Sequence, residues 1–191
     1  MINLNGKQLI LASASPRRKW LMEELGLEFS VQPKNVDEVY PDNLKREEIP
    51  MFLSKLKANS FSEDELVGKI VLTADTIVWL NDRELQKPVN LEDAKRMIRQ
   101  LSGTTHEVYT AITLRTSEKT LSDFDRTEVH FRELTEEEID FYVQKYKPLD
   151  KAGAYGIQEW IGYVGIDRID GCYFNVMGLP LRKVYAALNS L

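Results

Sequence analysis

The run Ile70–Val71–Leu72–Thr73–Ala74–Asp75–Thr76–Ile77–Val78–Trp79 constrains the fold more than any other part of the chain. It is β-branched and apolar enough to be a strand buried on both faces, which asks for structure layered on either side. Yet a carboxylate sits at its centre. An ionised Asp in a core strand costs roughly several kcal/mol unless a metal, a cation or several donors compensate it. Two arrangements meet that demand. Either the strand bulges or ends at Ala74 and presents Asp75 to a cleft, or Asp75 is a buried structural carboxylate. The first is favoured, because buried carboxylates with perturbed titration cluster at functional sites.

The 191 residues suit one domain or two closely joined lobes with a proper core. With 43% hydrophobic and 29% charged residues, the composition is that of an ordinary soluble enzyme. A net charge of −5 argues against a broad nucleic-acid footprint, so an anionic ligand must be gripped by a local basic cluster. One cysteine, Cys172, excludes an internal disulfide and a multi-cysteine zinc site, and fits a reducing cytosol. Neither a secretory leader at Met1–Lys7 nor a membrane-spanning segment is expected, so a cytoplasmic protein with no membrane partner is.

Leu9–Ile10–Leu11–Ala12 reads as a strand running into Ser13–Ala14–Ser15–Pro16–Arg17–Arg18. Ser15 is placed to cap a helix whose first residue is Pro16 and whose stop is Gly26. Helix N-termini favour acids, but Arg17 and Arg18 occupy this first turn. Strand, small-residue turn, helix start and two guanidiniums, with the hydroxyls of Ser13 and Ser15 beside them, describe a seat for phosphate. By contrast the helix after Asn90 opens with Glu92 and Asp93 and obeys the dipole rule. Ile49, Phe52, Leu53 and Leu56 mark an amphipathic helix, with Lys57 on the flank of its buried face, either snorkelling to solvent or reaching into a cleft. Glu38 lies in a polar loop and, taken alone, is an ordinary solvated acid.

Asn81–Asp82–Arg83 reads as a hairpin turn, after which Glu84–Pro88 runs back along the sheet edge. Val108, Thr110, Ile112 and Leu114 alternate, as do Thr127, Val129 and Phe131, so two long antiparallel strands are expected. His106 and His130 have no metal-spaced partners and read as structural. Thr135–Glu138 is a capping box. Asp150–Gln158 has no periodicity and two glycines, which lets backbone approach a ligand. Tyr163, Val164 and Ile166 suggest a strand, and Pro180 opens a terminal helix with Leu181, Val184, Tyr185 and Leu188 inward. Phosphate-loop, dinucleotide and serine-elbow signatures are missing from the sequence. From the residues alone, the reading is metal-assisted phosphate chemistry.

Ser13–Arg18, Ala74–Asp75–Thr76, Lys87–Pro88, Leu101–Ser102–Gly103 with His106, and Asp150–Gln158 together resemble the ordered motifs of the Maf family. That family comprises nucleoside triphosphate pyrophosphatases linked to septum formation. The resemblance spans about Leu9 to Pro180. It implies a single Maf-like domain over residues 1–191 with an α/β fold, a mixed central sheet flanked by helices and two lobes around a cleft, like inosine triphosphatases. It also implies frequent homodimers. By matching position, Asp75 resembles the family's catalytic proton acceptor, Glu38 its acidic residue beside a divalent metal (Mg or Mn), and Lys57 and Lys87 its motif lysines. Arg17, Thr76 and Gln158 resemble the specificity residues of the dTTP/UTP subgroup. Cys172 stands where a serine is expected, and Glu159–Trp160 where a glycine is usual.

The resemblance implies hydrolysis of a pyrimidine nucleoside triphosphate, ordinary or modified, to monophosphate and pyrophosphate. Asp75 and Glu38 would hold the metal that compensates the buried acid, and Arg17, Arg18, Lys57 and Lys87 would neutralise the phosphates. Thr76 and Gln158 would bond the base edge. The rival readings are a division-restraining interaction protein and a nucleotide sensor that binds without turnover.

Overall fold

The structure, a computed structural model, describes residues 2–191. Apolar runs and their capping residues resolve into β1 (Gln8–Leu11), α1 (Pro16–Glu24), β2 (Ser30–Val31), α2 (Glu48–Asn59), α3 (Glu63–Leu66), β3 (Lys69–Leu80), β4 (Arg83–Leu85) and α4 (Leu91–Leu101). There follow β5 (Thr105–Arg115), β6 (Thr120–Phe131), α5 (Glu136–Tyr146), a 3-10 turn at Ala152–Ala154, α6 (Trp160–Val164), β7 (Ile166–Asp170), α7 (Tyr173–Met177) and α8 (Leu181–Leu188). The strands form one mixed sheet in the order β2-β1-β3-β5-β6-β7, with β4 also on β3. No helix among the described residues is long and apolar enough to cross a membrane. The chain divides into two compact units, and β3, β5 and β6 each contribute residues to both.

The first unit takes residues up to Asp75, Thr110–Asp125 and Gly178–Leu191. Here β1 pairs in parallel with both β2 and β3, Ile10 standing opposite Ser30 and Val71. Ala12 extends the ladder by donating to the Leu72 carbonyl at 2.8 Å. Ile10, Ala12, Phe61, Leu66 and Val71 form one apolar cluster. In α1, the Ser15 hydroxyl accepts from the Arg18 amide at 3.4 Å with Pro16 as first helical residue, and Gly26 follows at φ 66°. The face that α2 buries is rotated from the sequence expectation: Ile49, Leu53, Ser54 and Ala58 point inward, whereas Phe52 is exposed. Small side chains at 54 and 58 let the helix lie close to the sheet, which a Phe would hold off. Helix α3 was not expected; the Ser62–Glu65 capping box that starts it is readable in retrospect.

The second unit takes Thr76–Tyr109 and Arg126–Met177. Asn81 and Asp82 both have positive φ, 50° and 58°, which closes the β3–β4 hairpin with Leu80 opposite Arg83. Asn90 caps α4 by accepting from the Asp93 amide at 2.8 Å, and Thr135 caps α5 in a full capping box. Residues 108–114 of β5 are buried without alternation, so this strand is covered on both faces rather than one. Tyr163 and Val164, expected in a strand, belong to α6: Ile161 packs inward, Gly165 donates to the Ile161 carbonyl at 2.8 Å, and β7 starts only at Ile166. Helix α7 was likewise not foreseen.

Candidate active site

Asp75 lies within an unbroken strand, and only 6% of it is exposed. The expected bulge or strand end at Ala74 does not occur. Alternation along β3 puts Thr73 and Asp75 on one face and Thr76 on the other. Helix α2 packs on the Thr73–Asp75 face. Thr73 Oγ1 donates to the Ser54 carbonyl at 2.7 Å, and the Ser54 hydroxyl bonds Thr113 Oγ1 at 3.0 Å. One helical turn beyond Ser54, Lys57 Nζ reaches Asp75 Oδ1 at 2.5 Å and Glu38 Oε1 at 2.9 Å. Lys57 therefore reaches inward rather than snorkelling. Its ammonium sets a positive charge directly against the buried acid. Burial pushes the Asp75 carboxyl above its usual range, Lys57 and Arg18 pull it back, and Glu38 adds a smaller upward push.

The turn before α1 supplies the second half of this cluster. Arg18 is half-buried; its Nε donates to the Gly178 carbonyl at 2.8 Å and its Nη1 to the Ala74 carbonyl at 2.8 Å. The guanidinium thereby ties the start of α1 to the backbone beside Asp75. Ser13 Oγ accepts from the Ser15 amide at 3.2 Å and from Arg18 Nη1 at 3.4 Å, so both serines shape the turn. Arg17 is half-buried next in sequence, and its charge bears on Arg18.

Three of the expected site residues belong to the second unit. Thr76 is half-buried on β3, and Lys87 is exposed just before buried Pro88. Gln158 ends a loop whose residues 153–157 are all buried. Gly153 at φ 67° brings that loop so close to Val78 that a Cβ would stand 3.0 Å from its nearer methyl. Around Gln158 the structure reveals a network that sequence reasoning missed. Lys151 pairs with Asp150 at 2.8 Å and with Glu159 at 3.1 Å. Tyr142 donates its hydroxyl to Glu159 Oε2 and accepts from the Gly156 amide at 3.0 Å. A lysine and an acid flanking an otherwise small and apolar loop were the available signal. His106 is buried and bonds the Tyr155 hydroxyl at 2.7 Å, in keeping with a structural role.

Asp75 and Glu38 converge on one ammonium, and among the described residues no group of three or more His, Cys, Asp or Glu is placed to hold an ion. Two carboxylates suit a magnesium-like ion only if it arrives with most of its oxygen ligands already on it, which a metal-bound polyphosphate does. The two carboxylates therefore fit an ion whose remaining ligands are waters or phosphate oxygens.

A buried acid braced by a lysine, beside arginines at a helix start, marks the central strand of this α/β protein. The chain belongs to the family described as Maf-like protein, whose profile matches residues 8–191. It is 48% identical over 190 residues to a dTTP/UTP pyrophosphatase of Bacteroides thetaiotaomicron, covering 99% of this chain and 98% of that one. A dTTP/UTP pyrophosphatase of Flavobacterium johnsoniae is 47% identical over 184 residues, covering 96% and 95%. One from Bacteroides fragilis is 47% identical over 192 residues, at full coverage of both.

Proposed function

We propose that this chain is a nucleoside triphosphate pyrophosphatase that converts dTTP and UTP, and related modified pyrimidine triphosphates, to the monophosphate and pyrophosphate. The observation that carries the reading is Asp75: a carboxylate buried in a continuous strand, raised by burial and held in reach of ionisation by Lys57 and Arg18. Full-length relatives with this activity in their names support the substrate class.

In the proposed reaction, water attacks the α-phosphorus, the α–β phosphoanhydride bond breaks, and pyrophosphate leaves. Asp75 accepts the proton of the attacking water. An acid with an elevated pKa is a better base near neutral pH than an ordinary carboxylate, provided a cation keeps it charged. Lys57 provides that charge and afterwards faces the growing negative charge on phosphate oxygens. Arg17 and Lys87 neutralise the remaining phosphate charge, while Arg18 fixes the backbone around Ala74. Asp75 and Glu38 would hold a magnesium or manganese ion carried by the triphosphate, which supplies Lewis-acid neutralisation when bound. Thr76 and Gln158 offer a hydroxyl and a carboxamide to the base edge.

A panel of nucleoside triphosphates assayed for pyrophosphate release with magnesium tests the reading. Turnover of dTTP and UTP ahead of the purine triphosphates is expected, and its loss in Asp75→Asn. Tight binding without turnover in the unmodified protein would make it a sensor instead.

A further inference from the structure

We propose that Glu159 is a specificity-positioning residue: it orients the Gln158 carboxamide so that its carbonyl oxygen accepts a hydrogen bond from the ring imide N–H of the base. The inference rests on Gln158 taking part in base recognition, as proposed above, and adds how this chain fixes that side chain.

Gln158 Oε1 is buried and has no hydrogen-bond partner among the described residues. An unmet buried acceptor is costly, and a ligand donor removes that cost. The other end of the carboxamide is crowded against Gly156. A Cβ there would stand 3.1 Å from Gln158 Nε2, 2.9 Å from Glu159 Cδ and 3.0 Å from Lys151 Cε. All three groups share a space that exists because residue 156 has no side chain. Glu159 is itself anchored, through one oxygen by the Lys151 ammonium at 3.1 Å and through the other by the Tyr142 hydroxyl. The backbone is held as well: Tyr163 donates its hydroxyl to the Gln158 carbonyl at 2.5 Å, and the Glu159 amide donates to the Gly156 carbonyl at 3.0 Å.

This anchoring has a chemical consequence. Uracil and thymine present an N–H at ring position 3, whereas cytosine presents a bare acceptor nitrogen there. A carboxamide free to turn over could serve either, showing its oxygen to one and its NH2 to the other. A carboxylate beside the Nε2 end favours N–H on its own side and repels the carbonyl oxygen. The oxygen is thereby committed to the face turned away from Glu159, where its hydrogen bond is still to be made. The pocket then accepts the imide and leaves cytosine with two opposed acceptors, the kind of mismatch that rejects a substrate strongly.

The experiment compares kcat/KM for UTP and CTP in the unmodified enzyme, Glu159→Ala, Glu159→Gln, Tyr142→Phe, Gln158→Ala and the Glu159→Ala/Gln158→Ala double variant. Glu159→Ala is expected to lower kcat/KM for UTP about tenfold, mainly through KM, and to leave CTP within about twofold. Glu159→Gln, which still accepts from Tyr142 but lacks the charge, is expected to be intermediate. In the Gln158→Ala background, removing Glu159 should change the UTP/CTP ratio no further. Equal losses on both substrates, or an additive loss in the double variant, would overturn the proposal and leave Glu159 a scaffold residue. Should Glu159→Ala not fold, Tyr142→Phe and Glu159→Gln decide by the same ratio. An unmodified enzyme that turns over neither substrate sinks the proposed function itself, and this inference with it.

Discussion

Among the described residues each unit buries a charged side chain, Asp75 in one and Lys151 in the other, and the two solve the problem in opposite ways. In the first unit the buried group is an acid, Asp75, and its compensating lysine comes from a neighbouring helix and also pairs with exposed Glu38. In the second the buried group is a lysine, Lys151, and its acids Asp150 and Glu159 lie on its own loop, with Tyr142 completing the shell. The Asp75 cluster sets Lys57 and Arg18, from two different helices, around one buried acid. The Lys151 cluster ties a loop to itself through Asp150 and Glu159. Similar ingredients thus give, on the proposed reading, a reactive group in one place and a fixed support in the other. The origin of the countercharge, a neighbouring helix in one and the same loop in the other, separates them.

Asp75→Asn tests the first half of that contrast and should have the largest effect. Loss of the base is expected to lower kcat at least about 10³-fold. It should not cost stability near neutral pH. Because the folded-state pKa of Asp75 lies above the ordinary 3.8, stability is greatest while the group is protonated and falls as pH rises through the elevated value. The Asn variant lacks that decline, so the Tm curves of the two proteins should diverge upward from about pH 4. Parallel curves would mean that Asp75 is a relaxed ion-pair partner and not a poised base.

Lys57→Met comes next. Asp75 is faced by Lys57 from α2, Arg18 from α1 and Glu38 from the preceding loop; removing Lys57 leaves burial opposed by Arg18 alone. The expected outcome is about a 10²-fold loss of kcat/KM, with the acid limb of its pH profile moved to higher pH. A loss with an unmoved limb would assign Lys57 to phosphate binding only.

How far the sequence disclosed all this depends on the range of the interaction. Elements set by local chemistry were legible: Ser15 and Pro16 opening α1, Asn90 opening α4, the capping box at Thr135, and the Asn81–Asp82 turn. So was the anomaly of Asp75. Features set by contacts distant in sequence were not. Whether Lys57 snorkels or reaches in depends on α2 lying on the Thr73 face, and the rotated buried face of that helix is fixed by Ser54 and Ala58 against the sheet, not by its largest side chains. Tyr163 and Val164 are apolar enough for a strand, and only Ile161 packing inward with Gly165 ending the turn makes them helical. The Lys151–Glu159–Tyr142 network joins a loop to α5 and leaves no local pattern.

Lys151→Met probes the other side of the comparison. Its removal leaves Glu159, whose side chain is 17% exposed, without its cation, and should destabilise the protein by about 3 kcal/mol. Turnover number should change less than about threefold, since the cluster braces a loop and does not meet reacting atoms. A kcat loss as large as that of Lys57→Met would erase the distinction between the two clusters.

The smallest expected effect belongs to Thr73→Val, which asks whether the reactive cluster is also a registered one. Thr73 and Asp75 are two residues apart on β3, and Ser54 and Lys57 three apart on α2. The Thr73 hydroxyl on the Ser54 carbonyl therefore sets where along the strand Lys57 arrives. Valine keeps the shape and removes the donor. The Ser54 carbonyl then loses that bond, at a stability cost of about 1 kcal/mol. If register matters, Lys57 gains freedom at Asp75, kcat falls about threefold, and the acid limb of the pH profile moves in the same direction as in Lys57→Met but less far. A stability loss with an unchanged profile would show that the Lys57–Asp75 contact is held by its own charges and that Thr73 only packs the core.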